Sequence, residues 1–293
     1  MQFNPLADLI IKLETMFQES KVNYLNSALV CLALCLSSAL QAEEQTQWHY
    51  SLGSHDFVVE DSHTLGVNAS LLLEHKTQSD ILLTAALDAY IDVDVDKLDP
   101  DHIPVWFKSA YAASGELYRV NPAFSFGWQF DLQGKRNTVS SVEKQAKVFP
   151  GLTANFDGQA LQAQFKAGAG YYYLEIDDDV PRTRGYDRGD FGNGTFAYTF
   201  MGSVGANVTP KLHMQVAAQT WQDEDQWLEN QYRFELSYQT DFWRPNSVLM
   251  LSAEHTQYNL DHYAKVDVNS AEYLPILPWD SDTLVRLSLV VPW

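Results

Sequence analysis

The sequence predicts an all-β fold, a twelve-stranded antiparallel up-and-down transmembrane β-barrel, and three observations carry that prediction. Beyond residue 42, apolar and polar side chains alternate with a period of two, which sets alternate residues on opposite faces of a strand. Connections between the alternating runs are short and long by turns, as in a barrel with turns on one side of a membrane and loops on the other. The longest run, 81–95, exceeds the roughly 9–11 residues that a tilted strand needs to cross a bilayer.

Composition is consistent with this. Of 293 residues, 46% are hydrophobic and 19% charged, which sets aside collagenous, coiled-coil and disordered readings. A net charge of -19 argues against nucleic acid as a partner. Two cysteines are too few for a disulfide scaffold or a cysteine metal site.

The first element is an export segment. Residues 28–36 form an apolar core, preceded by Lys21 and followed by Ser37-Ser38-Ala39-Leu40-Gln41-Ala42. This is the pattern of a signal peptide over 1–42, cleaved after Ala42, with residues 1–15 readable as an over-long start before Met16. At 1.5 Å per residue the core is about 14 Å long, less than half of a ~30 Å bilayer core, so it is too short for an anchor. Val30 before Cys31 and Leu34 before Cys35 leave no small residue for lipid attachment. Both cysteines fall in this segment, so the mature chain, 43–293, carries no thiol chemistry.

The strands follow in order. A weak run at 47–58 precedes the face Leu65/Val67/Ala69/Leu71/Leu73. Segment 81–95 has Leu83, Leu87 and Ile91 on one face and Thr84, Asp88, Tyr90 and Asp92 on the other. Next come 105–118, Phe124/Phe126/Trp128/Phe130/Leu132, 144–156, Leu161 to Tyr173, Phe196 to Val208, Leu212 to Ala218, Tyr232 to Tyr238, 247–258 and Val285 to Trp293. Short turns are expected at 76–79, 119–122, 157–158, 209–211 and 243–246, and longer loops at 59–64, 96–104, 134–143, 176–194, 223–229 and 260–281. An even strand number leaves both termini in the periplasm.

A soluble β-barrel would also alternate, with its aromatic residues in the middle of a buried face. Here Trp48, Trp106, Tyr118, Tyr171, Tyr173, Trp221, Tyr258 and Trp293 fall near strand ends, where two interfacial girdles are expected.

The C-terminus, Thr283 to Trp293, has Val285, Leu287, Leu289 and Val291 at every second position before its terminal aromatic residue. It resembles the terminal strand that bacterial outer-membrane insertion machinery recognises, with Pro292 as a departure. The resemblance implies an outer-membrane location and an insertion signal carried by Val285, Leu287, Leu289, Val291 and Trp293. In size and strand number the chain is similar to autotransporter translocator barrels of the solitary kind that lack a passenger. Too few residues separate Ala42 from the first strand for a passenger or a pore-spanning helix.

The polar faces supply the candidate lumen-lining residues: Asp88, Asp92, Asp94, Glu116, Asp131, Lys166, Arg233, Glu235 and Arg286, with Glu74, Lys108, Lys147, His213 and Glu254 beside them. Mixed signs fit either a charged constriction or a salt-bridged, filled interior, and twelve strands lie between the filled and the open sizes. Asp177-Asp178-Asp179 and Arg188-Gly189-Asp190 in one loop, like Asp94, Asp96, Asp99 and Asp101 in another, read as solvated surface. His49 and Ser51 share a strand face, a geometry that a lipid hydrolase could use, but they are expected on the periplasmic side; His255 and His262 have no evident serine partner. No G-x-S-x-G or H-E-x-x-H motif occurs. The expectation is a barrel without cofactor, metal or catalytic residues, with a structural or passive role. The alternative is a narrow channel for small polar solutes, and a lipid hydrolase comes third. Its expected partners are outer-membrane lipid, lipopolysaccharide and, during assembly, the insertion machinery.

Overall fold

The computed structural model describes residues 46–59, 62–93, 105–137, 140, 142–176, 192–260, 265–266, 273–274 and 280–293. The export segment, Asp94, Asp96, Asp99, Asp101, the acidic and Arg-Gly-Asp motifs at 177–190, and His262 lie outside these residues.

Among the described residues, fourteen strands follow one another: β1 Thr46–Val59, β2 Ser62–Lys76, β3 Leu82–Asp92, β4 Val105–Asn121, β5 Phe124–Arg136, β6 Val142–Asp157, β7 Leu161–Ile176, β8 Gly192–Thr209, β9 Leu212–Gln222, β10 Trp227–Thr240, β11 Ser247–Tyr258, β12 Lys265–Val266, β13 Tyr273–Leu274 and β14 Ser281–Pro292. Twelve of them, β1 to β11 and β14, form a closed antiparallel barrel in which each strand pairs with its neighbours in sequence. Strands β12 and β13 pair only with each other.

Closure joins β1 to β14, from His49 opposite Pro292 to Val58 opposite Thr283. Proline has no N–H to give to a ladder, but here it stands at the end of the register. The next residue restores the pairing, because the Trp293 N–H donates to the Trp48 carbonyl at 2.7 Å.

The short turns are built from residues that tolerate unusual backbone. Between β2 and β3, the Thr77 N–H donates to the Ile81 carbonyl, and Asp80 takes a left-handed φ of 58°. Asn246 does the same at 63° before β11, and Asn and Asp accept this region more readily than most residues. Trp243, at φ 75°, is the strained member of that turn. In the first turn, hydrogen bonding and charge from Lys76, at 2.8 Å, hold the Asp80 carboxyl below its ordinary value. That contact is present at neutral pH and lost as the pH falls through the depressed carboxylate range.

Alternation sorts the barrel's two faces. Outward positions carry large apolar side chains open to the surroundings, among them Leu52, Val67, Ile91, Leu152, Phe165, Phe200, Val216 and Leu287. Inward positions are polar or charged through much of the barrel. An apolar outside around a polar inside is the inverse of a soluble barrel and the arrangement of a transmembrane one.

Two expectations about layout change. The loop expected at 59–64 is strand at Val59 and again from Ser62, and the loop expected at 223–229 is shorter than read, a turn over 223–226 before β10 begins at Trp227. At 11 to 18 residues the barrel strands exceed the span of a bilayer and continue beyond it, so polar residues near their ends read as loop. The aromatic girdles also lose members. Tyr171 and Trp293 face outward and are exposed, but Trp106, Trp221 and Tyr258 are each 1% exposed and lie inside. Trp106 is two residues from inward-facing Lys108, and Tyr258 four from inward-facing Glu254, so the same alternation turns them into the lumen.

Candidate functional site

Inside the barrel, four lysines stand on four consecutive strands: Lys108 on β4, Lys135 on β5, Lys147 on β6 and Lys166 on β7. Carboxylates face them from the other side of the ring, Glu229 on β10, Glu254 on β11 and Asp282 on β14. Three ion pairs span the lumen between these walls. Lys108 meets Glu254, Lys135 meets Asp282 at 2.9 Å and Lys147 meets Glu229 at 2.6 Å. In the first two pairs the partner strands are five steps apart around the ring, and in the third, four.

The three bridges differ in accessibility. Side-chain exposure is 22% and 17% for Lys108 and Glu254, 8% and 6% for Lys135 and Asp282, and 5% and 1% for Lys147 and Glu229. Around the first bridge, the Arg233 guanidinium lies 3.6 Å from Glu254, and Arg286 lies 3.8 Å from Asp88 while donating to the Tyr90 and Ser252 hydroxyls.

Dense hydrogen bonding holds the second and third bridges. Lys135 donates to Tyr258, Ser140 and Asp282, and the Ser140 and Tyr258 hydroxyls donate to the same Asp282 oxygen. Glu229 accepts from Lys147, Gln145 and Tyr172. The Lys147 ammonium also sits 3.8 Å from the centre of the Trp221 ring, within reach of a cation–π attraction. Glu229 follows a bulge at the start of β10, where the register with β9 shifts between Trp227 and Glu229 and both Leu228 and Glu229 are buried. Bulges re-aim side chains in this way.

A cavity of about 220 Å³ lies among these groups, lined by Asp88, Lys108, Gln133, Gln231, Arg233, Glu235, Ser252, Glu254, Thr256 and Arg286, with Lys135, Lys147, Glu229 and Tyr258 on its wall.

A separate cluster is wholly buried. His55 Nε2 lies 2.8 Å from Asp92 Oδ1, the same oxygen accepts from the Trp106 indole at 3.2 Å, and Tyr90 stacks on Trp106 with ring centres 3.7 Å apart. Glycine at position 66 makes room for it, since a Cβ there would come within 2.4 Å of the His55 ring.

The structure places the sequence candidates as follows. Asp88, Arg233, Glu235 and Arg286 line the cavity. Asp131 pairs with Lys166, also inside the barrel, and Asp92 belongs to the buried histidine cluster. Glu116 pairs with Arg119 on an exposed stretch near the β4–β5 turn, just before the register shift between Glu116 and Tyr118. Asp94 is outside the described residues. Val285, Leu287 and Leu289 take the outward parity of β14, and Trp293 packs edge-on against Tyr50 beneath the Arg244 guanidinium. His49 and Ser51 are not brought together as a dyad: His49 sits 3.6 Å from Glu74, and Ser51 is buried. His255 has a hydroxyl neighbour, Thr283 at 2.8 Å, on the outward face.

Lys135, Glu229 and Asp282 were missed because each stands at a strand end within a stretch read as loop or at its margin. The available signal was parity: Lys135 and Asp131 share one face of β5, and Glu229, Gln231, Arg233 and Glu235 share one face of β10.

The sequence matches no known protein family and no characterised protein. Among solved structures it is similar to the NanC porin, at 12% identity over 81% of this chain and 98% of that one with a TM-score of 0.44. It is similar to the KdgM porin in complex with disordered oligogalacturonate, at 13% identity over 82% and 97% with a TM-score of 0.43. It is likewise similar to outer membrane phospholipase A from Escherichia coli, at 10% identity over 87% and 96% with a TM-score of 0.42. The class defined by the chain's own strand order and faces is a closed twelve-stranded transmembrane barrel with a charged interior.

Proposed function

We propose that this barrel is a narrow channel for small polar solutes in a bacterial outer membrane, with its constriction formed by the lysine–carboxylate bridges across the lumen. The observation that carries the reading is the cavity among Lys108, Glu254, Arg233 and Arg286, where charges of both signs remain partly open to water. An interior that served only to hold the walls together would be at least as stable with apolar contents, because burying ion pairs is seldom better than burying hydrocarbon. Charge rings and polar constrictions are the means by which pores select. The outward apolar face and the expected leader over 1–42 support the membrane location, and the alternate apolar residues from Val285 to Trp293 support insertion through the terminal strand. A passive, translocator-like role rests on size and strand number alone and gives the charged cavity no task.

The test is conductance of the purified protein in planar bilayers. The channel reading expects small, discrete current steps, and larger steps from Lys108→Ala, which opens the first bridge. Absence of steps from both proteins, each shown to be folded by heat-modifiable migration, overturns the reading in favour of a structural barrel.

A further inference from the structure

We infer, resting on the channel reading, that the solutes this lumen favours are small zwitterions: molecules the size of an amino acid with a carboxylate at one end and an ammonium at the other. The three bridging pairs are segregated by wall, although Asp131 on β5 and Arg233 and Arg286 on β10 and β14 stand among them with the opposite sign. Lysines occupy β4 to β7, and the carboxylates that bridge to three of them come from β10, β11 and β14. A solute that opens one of these bridges therefore lies between an ammonium on one wall and a carboxylate on the other.

That arrangement treats three kinds of solute differently. A simple anion that binds Lys108 displaces Glu254, and a simple cation that binds Glu254 displaces Lys108; either replaces the bridge on one wall only and leaves the other member to a weaker neighbour, Arg233 for Glu254 or Asp88 for Lys108. A neutral solute of the same size separates the pair and compensates neither member. A zwitterion placed across the gap presents its carboxylate to the Lys108 ammonium and its ammonium to the Glu254 carboxylate, so both walls stay neutralised while the direct bridge is open. Losing one partner of an ion pair out of bulk water is costly, and the zwitterion replaces both partners at once.

Three further observations point the same way. Arg233 stands beside Glu254 and Asp88 is in register with Lys108, with Arg286 near Asp88, so each member of the bridge keeps a countercharge while the direct contact opens. The bridges also form a series of falling accessibility, from Lys108–Glu254 through Lys135–Asp282 to Lys147–Glu229. All three have the same polarity, with the ammonium on β4, β5 or β6 and the carboxylate on β11, β14 or β10. Finally, the cavity, at about 220 Å³, is large enough for a solute the size of an amino acid.

The test is osmotic swelling of phospholipid vesicles containing the full-length barrel, at neutral pH, in isosmotic glycine, glycolamide, sodium acetate and methylammonium chloride. Glycine and glycolamide are nearly equal in size, and only glycine is a zwitterion. The expected result is swelling several-fold faster in glycine than in glycolamide, with acetate and methylammonium slower than glycine. Lys108→Met combined with Glu254→Leu should abolish the glycine preference while glycolamide still permeates. Lys108→Glu combined with Glu254→Lys rebuilds the bridge with reversed polarity and should restore the preference, which a change in pore width alone would not do. Equal rates for glycine and glycolamide, both above protein-free vesicles, overturn the inference and leave the channel standing. No swelling above protein-free vesicles in any solute, with the barrel shown to be folded, overturns the channel reading itself.

Discussion

Glu229 is 0% exposed, and Lys147, Gln145 and Tyr172 all direct donors at it. A carboxylate so enclosed is tolerable only while its partners remain. Lys147→Met should therefore destabilise the barrel by about 3–5 kcal/mol, because it leaves a buried charge unmatched. Adding Glu229→Gln removes that charge, keeps an acceptor for Tyr172 and should recover most of the loss. Urea unfolding of the three proteins in lipid vesicles measures this, and single and double variants of equal stability would mean that the bridge carries no interaction of this size. The pair also shows how far single residues could be read. Lys147 lies in an alternating run and is recognisable as inward, whereas Glu229 stands beside a bulge directly after the polar turn Asp223-Glu224-Asp225-Gln226, which hides where the strand begins.

At the level of the strand, period two was sufficient to find the barrel. The alternation that put Leu87 and Ile91 on one face of β3 and Asp88 and Tyr90 on the other is the alternation of the folded strand, with Ile91 exposed and Tyr90 completely buried. Alternation carries no signal for where a membrane ends, so the inward aromatics Trp106, Trp221 and Tyr258 were assigned to interfacial girdles. Nor does it report which strand stands opposite which across the ring. That follows from closure, and the three bridges therefore became visible only in the folded barrel. Mid-strand faces can be tested directly. Phe200→Arg on the outward face of β8 should cost about 2–4 kcal/mol near the bilayer midplane, and Leu87→Asn should impair assembly. Thr84→Asn, on the inward face of β3, should leave assembly unchanged. Heat-modifiable migration after refolding measures this, and equal tolerance on the two faces would mean that inside and outside are exchanged.

For the whole molecule, the central claim is that the charged lumen is a passage narrowed at Lys108 and Glu254. The same interior could hold twelve strands in register without passing anything, and the two accounts part at the accessible bridge. The two native cysteines, Cys31 and Cys35, both fall in the expected leader, and the parent protein carries any effect of modifying them. The most direct measurement is the bilayer conductance of Lys108→Cys before and after addition of a bulky, charged, thiol-specific reagent, with the parent protein as control. The channel account predicts discrete current steps that fall sharply on modification of the variant and do not change in the parent. Steps indifferent to modification, or no steps before it, would contradict a conducting path through this lumen.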